Sequence, residues 1–367
     1  MVSRFHSWRS RDSRFRDQDA LAEPTQWRCE YRPRSSDQTN ADLNDMEPVT
    51  EWDIVVVGGA NTDYLVRGKA LPAPGTTLNG WEFLEGAGGK GANQAVAAAR
   101  LGARTAIVAS VGRDRRGTSL LQGIADEGVH VAQISVDRGA PTGAAVIHVD
   151  EHGQKQILVA PGANCRLTVE HVQAAADTIK SSRVLLMQLE VPLDCVVAAA
   201  RIAHESRTRI MLDPAPPAAL QDELLASVSM VRGNAAEIGM LTGMRIQDQE
   251  SARRAAGVLI SRGVEAVIVE ADDRGNLLVW RSGEAWLPRL PVNAVDATGA
   301  GDAFSAAVAV ALAEERSFVA AGRFGCAAAA LATTKLGAQA ALPRRQELES
   351  YLHALAGYRE MWPREAG

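Results

Sequence analysis

From Trp52 onward, short apolar runs alternate with longer stretches whose apolar residues recur at helical spacing. The runs Ile54–Gly58, Thr105–Ser110, Val184–Gln188, Arg209–Leu212, Met230–Arg232 and Ala266–Glu270 predict strands. Between and after them, 92–101, 117–127, 169–179, 195–205, 249–262, 301–313 and 318–333 predict helices. Strands that alternate with crossover helices form a parallel sheet, so the expected fold is α/β, a doubly wound three-layer α/β/α sandwich. Residues 61–86 and 139–161 break this rhythm with polar-alternating segments and Pro and Gly turns, each after a sheet strand. They predict a small antiparallel β-sheet flap, or lid, over the carboxyl edge of the sheet, where open α/β folds bind ligands. Such a flap would shield a transferred group from water.

The segment before Trp52 has no such pattern. Residues 1–47 hold Arg4, Arg9, Arg11, Arg14 and Arg16 among many Ser, Asp and Gln, with almost no aliphatic periodicity. They are read as a disordered leader, with 48–367 as the folded domain. Met46 lies just ahead of the first strand and is an alternative start to Met1. With 367 residues, 46% of them hydrophobic, the chain can bury a large core. Its net charge of −5 argues against nucleic acid as a partner. No apolar run approaches the ~20 residues of a membrane span. Cys29, Cys165, Cys195 and Cys326 lack metal-ligand spacing and read as free thiols in a reducing cytoplasm.

The chemistry concentrates in three glycine-rich segments. In Asp296-Ala-Thr-Gly-Ala-Gly-Asp302-Ala-Phe304 a glycine turn opens into an alanine-rich helix. That places Gly299, Ala300 and Gly301 at a helix N-terminus, where unpaired N–H groups and the positive end of the dipole favour phosphate. A carboxylate there repels phosphate, but Asp302 makes sense as the base that takes a proton from an attacking hydroxyl. The alternative is a capped helix behind a glycine loop. Gly86-Ala-Gly-Gly-Lys90-Gly-Ala-Asn93 also opens a helix; Leu84 and Gly91 stand where a Walker A loop needs Gly and Ser or Thr, which excludes that motif. Its backbone, Lys90 and Asn93 can grip polyol hydroxyls, or form only a flexible turn. Asn61 and Asp63 follow the first strand two residues apart, on one side of extended chain. They suit vicinal hydroxyls, or an Asx-turn.

Together these segments resemble the signatures of the PfkB carbohydrate kinase family, and within it the ribokinase branch. Residues 88–102 are similar to the N-terminal signature and 296–304 to the C-terminal one, with further similarity at 187–190, 213–216, 234–237 and 335–339. The resemblance implies ATP-dependent phosphorylation of D-ribose at its 5-hydroxyl. By it, Asn61, Asp63, Gly89, Lys90, Asn93 and Glu190 bind the sugar. Asp302 is the base and Gly299–Gly301 the anion hole. Asn234 and Glu237 help to hold Mg2+ and the phosphates, although the same pair fits a helix capping box. Asp296, Thr298, Ala332, Gly337 and Ala341 match a site for a monovalent cation, usually K+, with Ala340-Ala341 departing from the family's Pro-Ser. The nucleotide loop departs further. Glu270, Asp272 and Gly275 stand where a hydroxyl residue and glycines meet the triphosphate, and Cys326 takes a position near the adenine. Carboxylates there would repel phosphate unless Arg274 swings across to compensate. Tyr64, Trp81 and Phe83 in the flap keep a nucleoside open as substrate, beside 2-deoxyribose or another sugar. Glu270 and Asp272 also keep open a sugar-binding protein without turnover. Exposed flap edges predict a homodimer through the lid.

Overall fold

The computed structural model describes residues 50–272 and 274–356; the leader 1–47 and Met46 lie outside the described residues. Strands β1 (Trp52–Val57), β2 (Asn61–Gly68) and β3 (Gly80–Gly88) open the domain. They are followed by β4 (Thr105–Gly112), β5 (Ile134–Asp137), β6 (Gly143–Val149), β7 (Lys155–Ala160) and β8 (Ser182–Met187). The second half contributes β9 (Arg209–Leu212), β10 (Met230–Asn234), β11 (Ala266–Asp272), β12 (Gly275–Trp280) and β13 (Gly283–Pro288).

Nine strands form the main sheet in the order β13-β12-β11-β10-β9-β8-β1-β4-β5. It is parallel from β5 to β11 and ends in the antiparallel pairs β11–β12 and β12–β13. Both faces are covered, so its central strands are apolar throughout. In β1 the alternation of side chains sends Ile54 and Val56 to one core layer and Val55 and Val57 to the other. The first layer is closed by the helices Lys90–Arg100, Ala300–Ala313 and Phe318–Ala332, whose alanines let them pack closely against the strands and each other. The second is closed chiefly by Leu193–Glu205 and Gln249–Ser261. This arrangement brings the N-termini of helices Lys90–Arg100 and Ala300–Ala313 to the carboxyl edge of the sheet.

The two rhythm-breaking segments make a second sheet, ordered β3-β2-β6-β7. It is mixed rather than antiparallel: β2 pairs antiparallel with β3 but parallel with β6. The reason lies in the main sheet. β1 and β5 run in the same direction, and each continues from its carboxyl end into a strand of the second sheet, so β2 and β6 meet in parallel. Leu65, Ala145, Ile147 and Val149 form a small core on one face of this sheet. Trp81, Phe83, Ile157, Leu158 and Val159 are exposed.

Two further differences concern boundaries. The helix expected over 169–179 is broken into Val169–Ala174 and Ala176–Lys180, with Ala175 at φ −90° and ψ 8° between them. The edge hairpin β12–β13 and the helices Ala235–Thr242 and Arg345–Ala356 add to the elements predicted. Leu186 lies near the carboxyl end of β8 with no exposed surface. Leu186→Ala is expected to cost ~2–5 kcal/mol of stability, read as a lowered midpoint in urea denaturation.

Candidate active site

The helix Ala300–Ala313 begins behind Gly299, which has φ +79°, a left-handed conformation that glycine adopts without a Cβ penalty. The Ala300 N–H turns back to the Ala297 carbonyl at 3.3 Å, and Asp302 falls in the first helical turn. Asp302 is buried, yet well supplied with donors. Asn93 Nδ2 donates to its Oδ2 at 2.9 Å and Gln94 Nε2 to its Oδ1 at 3.1 Å, while Lys90 Nζ lies 3.5 Å from Oδ1. All three donors come from the first turns of helix Lys90–Arg100, so the two glycine-rich segments meet at one carboxylate.

A second buried carboxylate, Asp213, shares these donors. It follows the end of β9 and has no exposed surface. Gln94 Nε2 reaches its Oδ2 at 2.9 Å, Ser305 Oγ donates at 3.2 Å, and Lys90 Nζ lies 3.5 Å away. Gln94 is oriented in turn by Gln188, whose Nε2 donates to its Oε1. Burial disfavours the Lys90 ammonium, but Asp213, Asp302, Glu237 and Glu190 outweigh it and hold its pKa above the usual lysine value. One cation therefore serves several carboxylates, and Asp63 and Glu190 feel the shortage. Burial, then the Asp302 charge, pushes Asp63 up to about 7. Glu190 is also pushed up to about 7, mainly by burial, although it accepts the Lys90 N–H at 2.8 Å. Asn61 is buried and accepts from Asn164 Nδ2 at 2.7 Å, and Asn164 Oδ1 accepts the Ala60 N–H. Asp63, Gly89, Lys90, Asn93, Glu190 and Asp302 thus converge, with Asn61 fixed beside them.

Sequence reasoning gave Gln94, Asp213, Ser305 and Asn164 no role in the site. Two of them lay inside segments already singled out, next to Asn93 and at the head of Asp213-Pro-Ala-Pro216, and adjacency was the available signal.

The remaining candidates are engaged locally. Asn234 and Glu237 form a capping box on helix Ala235–Thr242: Asn234 Oδ1 accepts from the N–H groups of Ala236 and Glu237, and Glu237 Oε2 accepts the Asn234 N–H. Burial, then Asp213, raises the Glu237 pKa. Arg274 does not swing away from Asp272. It holds that carboxylate with its backbone N–H at 2.8 Å, Nε at 3.0 Å and Nη2 at 2.6 Å. Gly275 pairs with Asp272 across an irregularity at the start of β12. Glu270 lies between Arg232, 3.7 Å from its Oε2, and Arg289, 3.3 Å from its Oε1. The Cys326 thiol is pushed up to about 12 by burial, with the Arg232 charge pulling the other way.

Asp296 has both oxygens committed. Oδ1 accepts from Lys155 Nζ at 2.6 Å and from the N–H and hydroxyl of Thr298; Oδ2 accepts the Gly337 N–H at 2.9 Å. Burial acts against its charge, but these donors prevail and lower its pKa. Lys155 Nζ also donates to Thr298 Oγ1. Ala332 ends the helix Phe318–Ala332 and Ala341 ends the short helix Ala338–Ala341, where each could meet a cation only through its backbone oxygen.

A buried carboxylate at a helix N-terminus, fixed by amides and a lysine, has the parts of a phosphoryl-transfer site. The comparisons with known proteins agree. A family model described as pfkB family carbohydrate kinase matches residues 52–345. The chain belongs to the pfkB family of carbohydrate kinases. It is 40% identical over 300 residues to a ribokinase of Haemophilus influenzae, covering 82% of this chain and 98% of that protein. It is 32% identical over 301 residues to a deoxyribokinase of Salmonella typhi, covering 82% and 98%. The structure of Arabidopsis thaliana ribokinase complexed with ribose and ATP superposes with a TM-score of 0.75 at 30% identity, covering 82% of this chain and 98% of that one. Among the described residues, no helix is long and apolar enough to cross a membrane.

In a carbohydrate kinase, substrate hydroxyls would donate to Asp63 and Glu190 in their ionised forms. Both carboxyls have raised values, so if they hold the sugar, protonation below about 7 would compete with it and weaken binding as pH falls. Calorimetric sugar affinity is expected to rise from pH 6 to pH 8 and then level off. Asp63→Asn should flatten part of that dependence while weakening binding throughout.

Proposed function

We propose that the protein transfers the terminal phosphoryl group of ATP to the 5-hydroxyl of D-ribose. The observation that carries this reading is Asp302 in the first turn of helix Ala300–Ala313, tied to Lys90, Asn93 and Gln94. Ribokinases in the same family, one of them solved with ribose and ATP, support the choice of substrates. Asp63, Lys90, Asn93 and Glu190 hold the ring hydroxyls, with Asn61 and the Gly89 backbone beside them. Asp302 Oδ2 accepts from Asn93 and keeps a second lone pair, so the carboxylate can take the hydroxyl proton as the oxygen attacks phosphorus. The N–H groups at Gly299–Gly301 and the positive end of the helix stabilise negative charge on the transferring group. The second sheet acts as a lid that keeps water from this site.

Glu237, with Asn234, fits Mg2+ bound mainly through nucleotide phosphates, which needs few protein ligands. Bound there, Mg2+ would neutralise phosphate charge. The monovalent cation fits less well. Lys155 brings an ammonium group to the side chains of Asp296 and Thr298, two of the five residues that the resemblance assigns to K+. The tethered charge of Lys155 instead holds the loop before Gly299.

The exposed apolar residues Trp81, Phe83, Ile157, Leu158 and Val159 support a homodimer through the lid. The free thiols of Cys165, Cys195 and Cys326 are consistent with work in a reducing cytoplasm. The deoxyribokinase relative favours 2-deoxyribose as the second reading.

An ADP-release assay with ribose, 2-deoxyribose, fructose and adenosine tests the substrate. Ribose is expected to give the highest kcat/KM, and preference for any other acceptor would overturn the assignment. In the same assay the wild type should respond little to exchange of K+ for Na+, whereas Lys155→Met should become dependent on K+. Strong K+ activation of the wild type, unchanged in the variant, would remove Lys155 from this role.

A further inference from the structure

Glu270 and Asp272 are odd neighbours for a triphosphate, and their surroundings explain how they are tolerated. Asp272 is matched by Arg274. Glu270 stands between two arginines, Arg232 and Arg289, so this group carries more positive than negative charge. Arg232 is the unusual member. It is the one charged residue in β10, flanked by Val231 and Gly233, and it is 7% exposed. Its guanidinium lies 5.0 Å from the Phe304 ring centroid, against the first turns of helix Ala300–Ala313. Gly301 makes that approach possible, because a Cβ there would come within 2.9 Å of Arg232 Nη1. Among the described residues, the Arg232 Nε is buried with no hydrogen-bond partner.

A buried cation against the positive end of a helix is an unfavourable pairing by itself. Glu270, at 3.7 Å, is beyond hydrogen-bonding distance and offsets only part of it. An anion with several oxygens satisfies both poles at once, and a guanidinium suits phosphate because its donors are fixed in a planar fork. We propose that Arg232 is a phosphate-binding residue of the nucleotide site, aimed at the N-terminus of helix Ala300–Ala313 and positioned by Glu270. In this arrangement Glu270 orients a donor instead of repelling the nucleotide. The proposal rests on the kinase reading above and adds to it a nucleotide contact from the middle of a strand.

Arg232→Met keeps an unbranched side chain on Phe304 and removes the charge. It should lower kcat/KM for ATP by about 10²-fold, the scale of losing one donor to a developing charge. ADP affinity, measured by calorimetry without sugar, should weaken as well, while sugar affinity and Tm stay near wild type. Arg232→Lys should recover only part of the loss. Glu270→Gln should weaken ADP binding in the wild-type background and add nothing beside Arg232→Met, since it acts through the arginine. A folded Arg232→Met protein with wild-type ADP affinity and kcat/KM would overturn the proposal. So would a parallel loss of sugar binding and Tm, which marks a structural role. If the wild type phosphorylates no sugar, the kinase reading fails, and the ADP affinities of wild type and Arg232→Met still judge the arginine.

Discussion

The site depends on one shared charge. Lys90 places a single ammonium between Asp213 and Asp302, two carboxylates that enter from different parts of the fold. Burying a carboxylate without such a partner is costly, and the ammonium compensates both of these at once. The ion pair also joins the start of helix Lys90–Arg100, the end of β9 and the start of helix Ala300–Ala313. Gln94 bridges the same two carboxylates and Asn93 adds a donor to one, so the geometry is held by neutral hydrogen bonds as well as by charge. Asp63 and Glu190 lie at the margin of this compensation, where, on the proposed function, substrate hydroxyls would serve as donors.

Much of the fold was legible because its physics is local. Apolar runs at strand length and helices at 3.6-residue spacing placed the main sheet, and glycine-rich turns before alanine-rich helices marked both halves of the site. The mixed pairing of the second sheet was not legible, because it follows from the common direction of β1 and β5 and not from any property of β2 or β6. The hairpin β12–β13 was missed for a related reason. Its strands extend a sheet edge whose position is set by β11.

The site was legible where chemistry sits in contiguous motifs and obscure where it spans the chain. Asn234 and Glu237 form the capping box that their spacing allowed, so their local use was predictable and any use toward phosphate was not. Lys155 meets Asp296 across 141 residues, and no pattern along the chain links them. Glu270 and Asp272 looked repulsive in the sequence because their arginine partners were invisible there. The carboxylates are the same in the structure, but their charge is already matched.

On the proposed function, Asp302 is the base in a preorganised site, distinct from the groups that hold the sugar. The most direct measurement compares wild type with Asp302→Asn for kcat with ATP and ribose and for ribose affinity by calorimetry. The expected result is a fall in kcat of about 10²- to 10⁴-fold with ribose affinity little changed. A variant that turns over at a rate near wild type, or one that loses ribose binding in proportion to kcat, would contradict it.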